Sequence, residues 1–460
     1  MCRNEEISPD NYTLAALSKV SSEIGDVRIG ETVHCWIIKT GFVSDTVLMN
    51  SVMAMYLKCG SFRGLREVFD KMPQRNSASW NVLISGFSVF NSCMIYEDVW
   101  MLVKQMQKER VRLDAYTIST LLPMCDGKWN YGREIHCFIV KNESALDYLD
   151  VHVGSCLIDM YSKRKKVTLG RRVFDRMECR NIVAWTAIIM SYIQNGDCEE
   201  ALALFQRMQF KVEPNRVSLI SVLPACSSLN SLMGGKQIHG FAIRNEFNHQ
   251  VSLNNALIDM YCKCGDLSYA KHVFDNDAYC KDEISWSSII AGYGLHGKGN
   301  EAVSLFNGML QMGIKPNNIT LVGVISGCGR SGLVKEGLNI YNSAVTVYGI
   351  SPTVEACACV VDMLGRAGQL DRALEFINSM PVKPSPSVWG ALFGASVLHE
   401  NLEMQEIACK FLIQLEPENS SNYISLSNVY ASSGRWDVVA ELRKRMKSRG
   451  LRKLPGCSWV

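Results

Sequence analysis

The sequence predicts an all-α fold, an α-solenoid superhelix of stacked helix-turn-helix repeats, and three observations predict it. The chain repeats itself. The Met-Tyr pair of LMNSVMAMYLKCG at Met55-Tyr56 returns in VGSCLIDMYSKRK at Met160-Tyr161 and in LNNALIDMYCKCG at Met260-Tyr261. The steps are 160 − 55 = 105 and 260 − 160 = 100 residues, and self-similarity at a fixed period marks an array. Within each period, apolar residues recur at i, i+3 and i+4, the spacing of one helix face. Proline is scarce, 12 in 460 residues, so little interrupts a helical pattern.

The repeats run in order through three alternating types over residues 11–384. One type carries Val33-His34, Ile135-His136 or Ile238-His239 late in the repeat. The next carries the Met-Tyr pair and then Val68-Phe69-Asp70, Val173-Phe174-Asp175 or Val273-Phe274-Asp275. The third opens on tryptophan, in SWNVLISGF from Ser79, AWTAIIMSY from Ala184 and SWSSIIAGY from Ser285. The expected repeats are 11–45, 46–76, 77–114, 115–150, 151–181, 182–215, 216–250, 251–282, 283–317, 318–353 and 354–384.

Each repeat reads as two helices. In 182–215, WTAIIMSYI supplies one apolar face, Asn195-Gly196-Asp197 turns the chain, and EEALALFQRM supplies the second helix. Glu199 and Glu200 fall in its first turn, where negative charge suits the helix dipole. Pro214 is expected to stop it. One helical pair cannot bury its own apolar face, so neighbours must stack, and the Trp, Met and Tyr positions are core. Two places depart from the pattern: 77–114 carries extra length around Cys93 to Asp98, and Lys163-Arg164-Lys165-Lys166 replaces the Lys-Cys-Gly turn. Residues 1–10 read as the tail of a truncated repeat, similar to MQFKVEPN at Met208 to Asn215. MCRNEEISPD has neither an apolar core nor a basic transit character, so the natural protein is expected to start upstream.

Composition excludes several classes. Charged residues at 20% and hydrophobic ones at 47% are an ordinary balance for a folding chain. No apolar run approaches the roughly 18 residues of a membrane span. A net charge of +3 decides little about nucleic acid, because a basic groove and an acidic back cancel in the sum. The 18 cysteines are scattered and no signal peptide precedes them, so they read as reduced, buried thiols.

Catalytic and metal chemistry has no sequence signal. A zinc deaminase needs His-x-Glu for a ligand and proton shuttle, and Cys-x-x-Cys for two thiolates. The closest cysteine pairs, Cys262/Cys264 and Cys357/Cys359, are one residue too tight, and no histidine is followed by Glu two residues on. Gly-x-Gly-x-x-Gly occurs at Gly292-Gly294-Gly297 and Gly327-Gly329-Gly332. A dinucleotide fold needs it after a strand; here close helix packing and a turn explain both copies. No catalytic residue, metal or cofactor is assigned.

The strings LIDMYCKCG, VFD, SWSSIIAGYG, SGCGRSG (Ser326 to Gly332) and VVDMLGRAG (Val360 to Gly368) resemble the pentatricopeptide repeat (PPR) family in its plant form with alternating repeat lengths, the PLS subfamily. VWGALFGAS (Val388 to Ser396), LEPEN (Leu415 to Asn419), NYISLSNVYASSGRW (Asn422 to Trp436) and PGCSW (Pro455 to Trp459) resemble that family's C-terminal E-type extension, here 385–460, with no DYW deaminase domain within the chain. Eight Lys/Arg between Arg435 and Lys453 face Asp437 and Glu441; they read as a solvated helix face or as a contact to phosphate or a partner.

Arrays of this kind read single-stranded RNA one base per repeat. In the family, the fifth residue of the first helix and the last residue of the repeat choose the base. The matching RNA-binding pairs are Asn50/Asn76, Asn81/Asp114, Ser155/Asn181, Thr186/Asn215, Asn255/Asp282 and Ser287/Asn317. The resemblance implies a pyrimidine, leaning to cytosine, for the first. It implies uracil for Asn81/Asp114 and Asn255/Asp282, and adenine for the other three. Ala15/Asp45, Ser119/Asp150, Ile220/Gln250 and Val322/Thr353 read weakly or not at all. From Thr46 the expected core is 5′-Y-U-n-A-A-n-U-A. The plainer reading of each pair is a polar helix surface and a helix-stop Asp or Asn.

The resemblance implies a non-enzymatic, monomeric RNA-binding protein, the site-recognition factor for C-to-U RNA editing in a mitochondrion or, alternatively, a chloroplast, its targeting peptide missing from this chain. Its extension would recruit a deaminase-bearing or other editing-factor protein. A second reading keeps the RNA and assigns stabilisation, splicing or translation. A third, from another class, is a protein-interaction scaffold like tetratricopeptide arrays.

Overall fold

The computed structural model describes residues 9–90, 95–127, 129–141, 151–276 and 280–451. The chain divides into two compact units, residues 1–222 and 223–460. The first holds α1 (Asn11–Ile24), α2 (Val27–Thr40), α3 (Thr46–Lys58), α4 (Phe62–Lys71), α5 (Ser77–Phe90), α6 (Ile95–Lys108), α7 (Ala115–Leu121), α8 (Trp129–Lys141), α9 (Val151–Lys163), α10 (Val167–Arg176), α11 (Ile182–Gln194) and α12 (Cys198–Gln209). Helix α13 (Arg216–Ser228) runs through the division. The second holds α14 (Leu232–Arg244), α15 (Val251–Lys263), α16 (Leu267–Asp275), α17 (Glu283–Leu295), α18 (Gly299–Gln311), α19 (Asn318–Ser331), α20 (Val334–Thr346), α21 (Val354–Arg366), α22 (Leu370–Ser379), α23 (Pro386–Leu398), α24 (Leu402–Leu415), α25 (Ser420–Ser432) and α26 (Trp436–Ser448). No strand occurs among the described residues. The fold is the all-α solenoid that the periodicity predicts.

The turn inside each hairpin explains the Lys-Cys-Gly string. A chain leaving one helix and entering the next needs a residue in the left-handed region, which glycine enters without a Cβ clash. Gly60, Gly196, Gly265 and Gly434 hold φ between 73° and 89° there. In the Lys163–Lys166 turn, Lys165 takes the same conformation at φ 55°, an arrangement that costs about 1 kcal/mol or more for a residue with a Cβ. The extra length of 77–114 includes residues 91–94, outside the described residues, as is Asp150. Pro214 does not stop α12, which has already ended at Gln209; the Val212 N–H returns to the Met208 carbonyl at 2.8 Å. Pro123 follows the short α7, whereas Pro224 lies inside α13.

First helices of successive repeats pack on one another: α1 on α3, α3 on α5, and on to α9 and α11, then α15 on α17 through to α23 in the second unit. Each second helix of the Val-Phe-Asp repeats also touches the first helix that follows, as α4 touches α5 and α10 touches α11. The motifs are the means. The Met of Met-Tyr fills the space of a glycine on the preceding helix: a Cβ at Gly30 or Gly235 would fall 2.2 or 2.3 Å from the sulfur of Met55 or Met260, and one at Gly337 2.4 Å from that of Met363, which stands before Leu364. The Tyr hydroxyls of Tyr56 and Tyr261 meet Nδ1 of His34 and His239 at 3.1 and 2.9 Å. Burial pulls both imidazoles below their ordinary pKa, so they stay neutral as structural partners. Phe69 and Phe174 meet Trp80 and Trp185 edge-on at 4.7 and 4.8 Å, a preferred aromatic geometry. Arg75 and Arg180 close the same corner, donating to the Phe69 and Phe174 carbonyls that end the preceding helix.

The glycine strings have the packing origin predicted for them. At the α17–α19 crossing, a Cβ on Gly294 would stand 2.1 Å from the Gly323 carbonyl oxygen, and one on Gly323 2.8 Å from Ala291 Cα. Gly297 and Gly332 are left-handed turn residues. The cysteine expectation holds in part. Among the described residues all cysteines are free, but Cys35 and Cys137 are exposed on the outer faces of α2 and α8, and Cys179 and Cys280 are exposed in the connections before α11 and α17.

Because the obstacle at Gly294 is backbone, which cannot rotate away, Gly294→Ala should destabilise the second unit by about 1–3 kcal/mol. Gly390→Ala, with nothing within 4 Å of its Cβ, should stabilise helix α23 by up to about 1 kcal/mol through helix propensity. Thermal melts followed by circular dichroism would show midpoints moving in opposite directions.

Candidate nucleic-acid interface

The last residue of a repeat has a local task before any other. The first N–H groups of a helix lack intrahelical partners, and an Asp or Asn side chain just before the helix accepts from them, worth about 0.5–2 kcal/mol. Asp45, Asp114, Asn181, Asp282 and Asn317 are such caps. Asn76 and Asn215 accept from the N–H groups of Ser79 and Ser218 in the same way. The last residue of every expected pair therefore has a local role, capping the start of a helix rather than stopping one. That role does not exhaust the pairs.

Because first helices stack, the fifth residue of one lies against the N-cap of the next. Asn50 Nδ2 donates to Asn76 Oδ1 at 3.2 Å. Asn81 Nδ2 reaches the two carboxylate oxygens of Asp114 at 3.2 and 3.3 Å. Asn255 Nδ2 donates to Asp282 Oδ1 at 3.0 Å. Ser287 Oγ is 3.5 Å from Asn317 Oδ1 and spends its shorter bond, 2.7 Å, on the Glu283 carbonyl. The other two pairs differ. Ser155 and Thr186 turn their hydroxyls back onto the carbonyls of Val151 and Ile182, both at 2.7 Å. That is the usual competition of a short hydroxyl for its own helix, and no hydrogen bond joins them to Asn181 or Asn215 among the described residues. The fifth residues sit deep, Asn81 at 5% and Asn255 at 6% exposure, while Asn76, Asn181, Asn215 and Asp282 are exposed. One edge of each pair is thus closed by protein and the other faces solvent.

Electrostatics keep the two aspartates charged. Burial pushes the Asp114 carboxyl up, but hydrogen bonds from Thr117 N–H and hydroxyl and from the Asn81 amide hold it below the ordinary 3.8. Asp282 is likewise held low against burial, by the Ser285 N–H, the Asn255 amide and the Ser285 hydroxyl. These are fixed acceptors at neutral pH.

Sequence reasoning missed a second row. The second residue of many first helices is large, apolar and exposed: Tyr12, Val47, Tyr116, Val183, Ile284 and Ile319, with Tyr12 at 80% and Ile319 at 63%. Second and fifth residues are neighbours on one helix face. On the same helix Asn50 thus has Val47 and Ser287 has Ile284, whereas for Asn81/Asp114 and Asn255/Asp282 the exposed apolar side chain is two residues after the cap, Tyr116 and Ile284. The signal lay in the sequence, since an apolar residue that recurs just outside the core face has no reason to be apolar for folding. A flat group with a hydrogen-bonding edge suits such a cleft: its face lies on the apolar side chain and its edge meets the pair.

Elsewhere the chemistry is sparse. No cluster of three metal-ligating side chains occurs among the described residues, and no helix is long and apolar enough to cross a membrane. Burial pushes the Cys262 thiol up to about 12 and Cys359 to about 11, so both are neutral thiols at neutral pH. Of the basic run, Arg435 pairs with Glu406 and lies over Tyr430, and Arg449 donates to the Tyr423 hydroxyl at 2.8 Å. Lys444, Arg445 and Lys447 are exposed, and Arg452 and Lys453 lie outside the described residues.

Comparisons with known proteins agree on a family. The PPR repeat family matches residues 47–77, 155–182, 183–211, 255–276, 319–345 and 356–383, a second PPR repeat family matches 281–330, and the E motif family matches 399–460. A pentatricopeptide repeat-containing protein of Arabidopsis thaliana is 37% identical over 491 residues, covering 98% of this chain and 68% of its own length. A mitochondrial one from the same plant is 40% identical, covering 98% and 70%, and a chloroplastic one 36%, covering 99% and 52%. The chain thus spans between about half and two thirds of these relatives' length. Among solved structures, the pentatricopeptide repeat protein PPR10 in complex with an 18-nt psaJ RNA element superposes with a TM-score of 0.70 at 17% identity, covering 96% of this chain and 69% of that one.

The lowered carboxyls have a consequence in acid. A carboxyl whose folded pKa lies below its unfolded one contributes stability that is fully present above the unfolded value and is lost as the pH falls through the folded value. Asp114→Asn with Asp282→Asn keeps both caps but removes that titration. Wild type should lose more of its thermal midpoint than this variant between about pH 5 and about pH 2.5, measured in parallel melts.

Proposed function

The chain belongs to the pentatricopeptide repeat family, and from that premise we propose that it is a sequence-specific single-stranded RNA-binding protein that recognises an organellar transcript for C-to-U editing. Its own residues bind and orient the strand. The deaminase comes in trans, through an extension spanning 385–460 that includes the E motif at 399–460. No residue of the chain is given a catalytic role.

The observation that carries the RNA reading is the joined pair with its apolar neighbour. A base is flat and apolar on its faces and polar on its edge. Stacking on a side chain is indifferent to sequence and contributes about 1–3 kcal/mol per base, measured on aromatic platforms; the edge supplies the choice. Asn50/Asn76 would take a pyrimidine, leaning to cytosine. Asn81/Asp114 and Asn255/Asp282 would take uracil, and Ser287/Asn317 adenine. Ser155/Asn181 and Thr186/Asn215 stand for adenine as well, with the hydroxyl turned from its helix carbonyl to the base. The E motif supports editing over stabilisation, splicing or translation. The solved complexes of PPR10 with an 18-nt psaJ RNA element support single-stranded RNA as the partner class. The relatives named mitochondrial are 39% and 40% identical, those named chloroplastic 36% and 35%, which favours a mitochondrion.

Exchanging Asn255/Asp282 for Ser/Asn should move preference at one base from uracil to adenine, and exchanging Ser287/Asn317 for Asn/Asp should move another the opposite way, each by roughly 1–3 kcal/mol. Competition among single-base variants of the expected strand reads this; a change at other bases, or none, overturns the pairing. Affinity should also fall steeply with salt, through released counterions, whereas indifference to RNA at low salt would favour the protein scaffold. Organellar cDNA compared with genomic sequence after loss of the protein separates the uses: an unconverted cytidine marks editing, altered transcript level or splicing marks the other.

A further inference from the structure

The third residue of each first helix shows a pattern that the base-choosing pairs do not explain. It follows the fifth residue of the preceding repeat. After Asn50, Asn81 and Asn255 it is Ser79, Thr117 and Ser285, a hydroxyl each time. After Ala15, Ile220 and Val322, which have no edge to offer a base, it is Leu48, Leu253 and Ala356.

The geometry gives the reason. Each hydroxyl lies across the gap from the asparagine, 2.7 Å from Asn50 Oδ1 at Ser79, 2.7 Å from Asn81 Oδ1 at Thr117, and 2.6 Å from Asn255 Oδ1 at Ser285. The same oxygen is 3.0, 2.8 and 2.9 Å from the capping oxygen of Asn76, Asp114 and Asp282. It also accepts the cap residue's own N–H, at 3.4, 3.3 and 3.3 Å. A carboxylate and a capped amide oxygen can only accept. The asparagine must therefore turn its N–H₂ to the cap and its carbonyl to the hydroxyl. With the carbonyl buried, loss of that donor leaves an unmet acceptor, which is costlier than the bond was favourable.

We infer that Ser79, Thr117 and Ser285 are positioning residues for base recognition: each fixes the amide of the asparagine before it in one orientation, so that a single remaining N–H and a single remaining lone pair face the base. This rests on the RNA reading above and deepens it. The base preference of a repeat is then written in three residues, the third belonging to the next repeat. Uracil and cytosine differ by exchange of donors and acceptors on their edges, so an amide held only by its N–H₂ separates them less sharply.

Thr117→Val removes the hydroxyl at constant shape, and Thr117→Ser restores it. The full chain is titrated with the expected strand carrying uracil or cytosine at the base assigned to Asn81/Asp114, and with the same exchange at the Asn255/Asp282 base as an internal control. Thr117→Val should lower the uracil-over-cytosine ratio at the first base by about fivefold, the worth of one hydrogen bond. The control base keeps its ratio, and Thr117→Ser recovers the first. Ser285→Ala should do the same at the other base, which keeps the test open if one variant folds poorly. A merely structural role would weaken both strands equally and leave the ratio unmoved; that result, with a discriminating wild type, overturns the positioning role alone. A wild type that does not discriminate at either base overturns the base-reading pairs themselves.

Discussion

A pair of short helices has more apolar face than it can cover, and that shortage organises the molecule. Each first helix is buried on both sides only if another lies against it, which is why α1, α3, α5 and their successors pack in series. The recurring motifs are the contact points of that series. A methionine sulfur needs a glycine opposite, so the Met of Met-Tyr and the glycine on the preceding helix are one feature. The edge-on Phe–Trp contacts and the arginines that close over Phe69 and Phe174 do the same at the other end of the hairpin.

The same stacking makes the candidate site. An N-cap residue is fixed because its helix needs it, and the next helix's N-cap falls beside the fifth residue of the one before. A side chain held for folding is already rigid when a ligand arrives, so no further ordering entropy attaches to it. Asp114 and Asp282 show how closely the two tasks overlap: the hydrogen bonds that cap α7 and α17 are those that keep each carboxyl ionised and aim the neighbouring asparagine.

The two unjoined pairs lack that link. Ser155 is followed by Ala184, without a hydroxyl to offer, and Thr186 by Ser218, whose hydroxyl returns to its own cap residue at the Asn215 carbonyl. Both fifth residues satisfy themselves within their own helix. An asparagine cannot do this as easily, because its longer amide carries a donor and an acceptor that reach across the gap.

The sequence by itself determined the helical hairpins, their order and their glycine turns, because these follow from local periodicity and capping; the positions of the candidate pairs are what its resemblance to a family implies. It overreached at Pro214, since a helix ends when its carbonyls find other partners and not only when proline blocks it. Tertiary structure decided which pairs are joined, that Asn81 and Asn255 are nearly buried, that exposed apolar residues stand near them, and that a hydroxyl from the following repeat meets each asparagine carbonyl. Those facts depend on the distance between helices whose paired residues stand 26 to 36 positions apart in the chain, and no local pattern sets that distance.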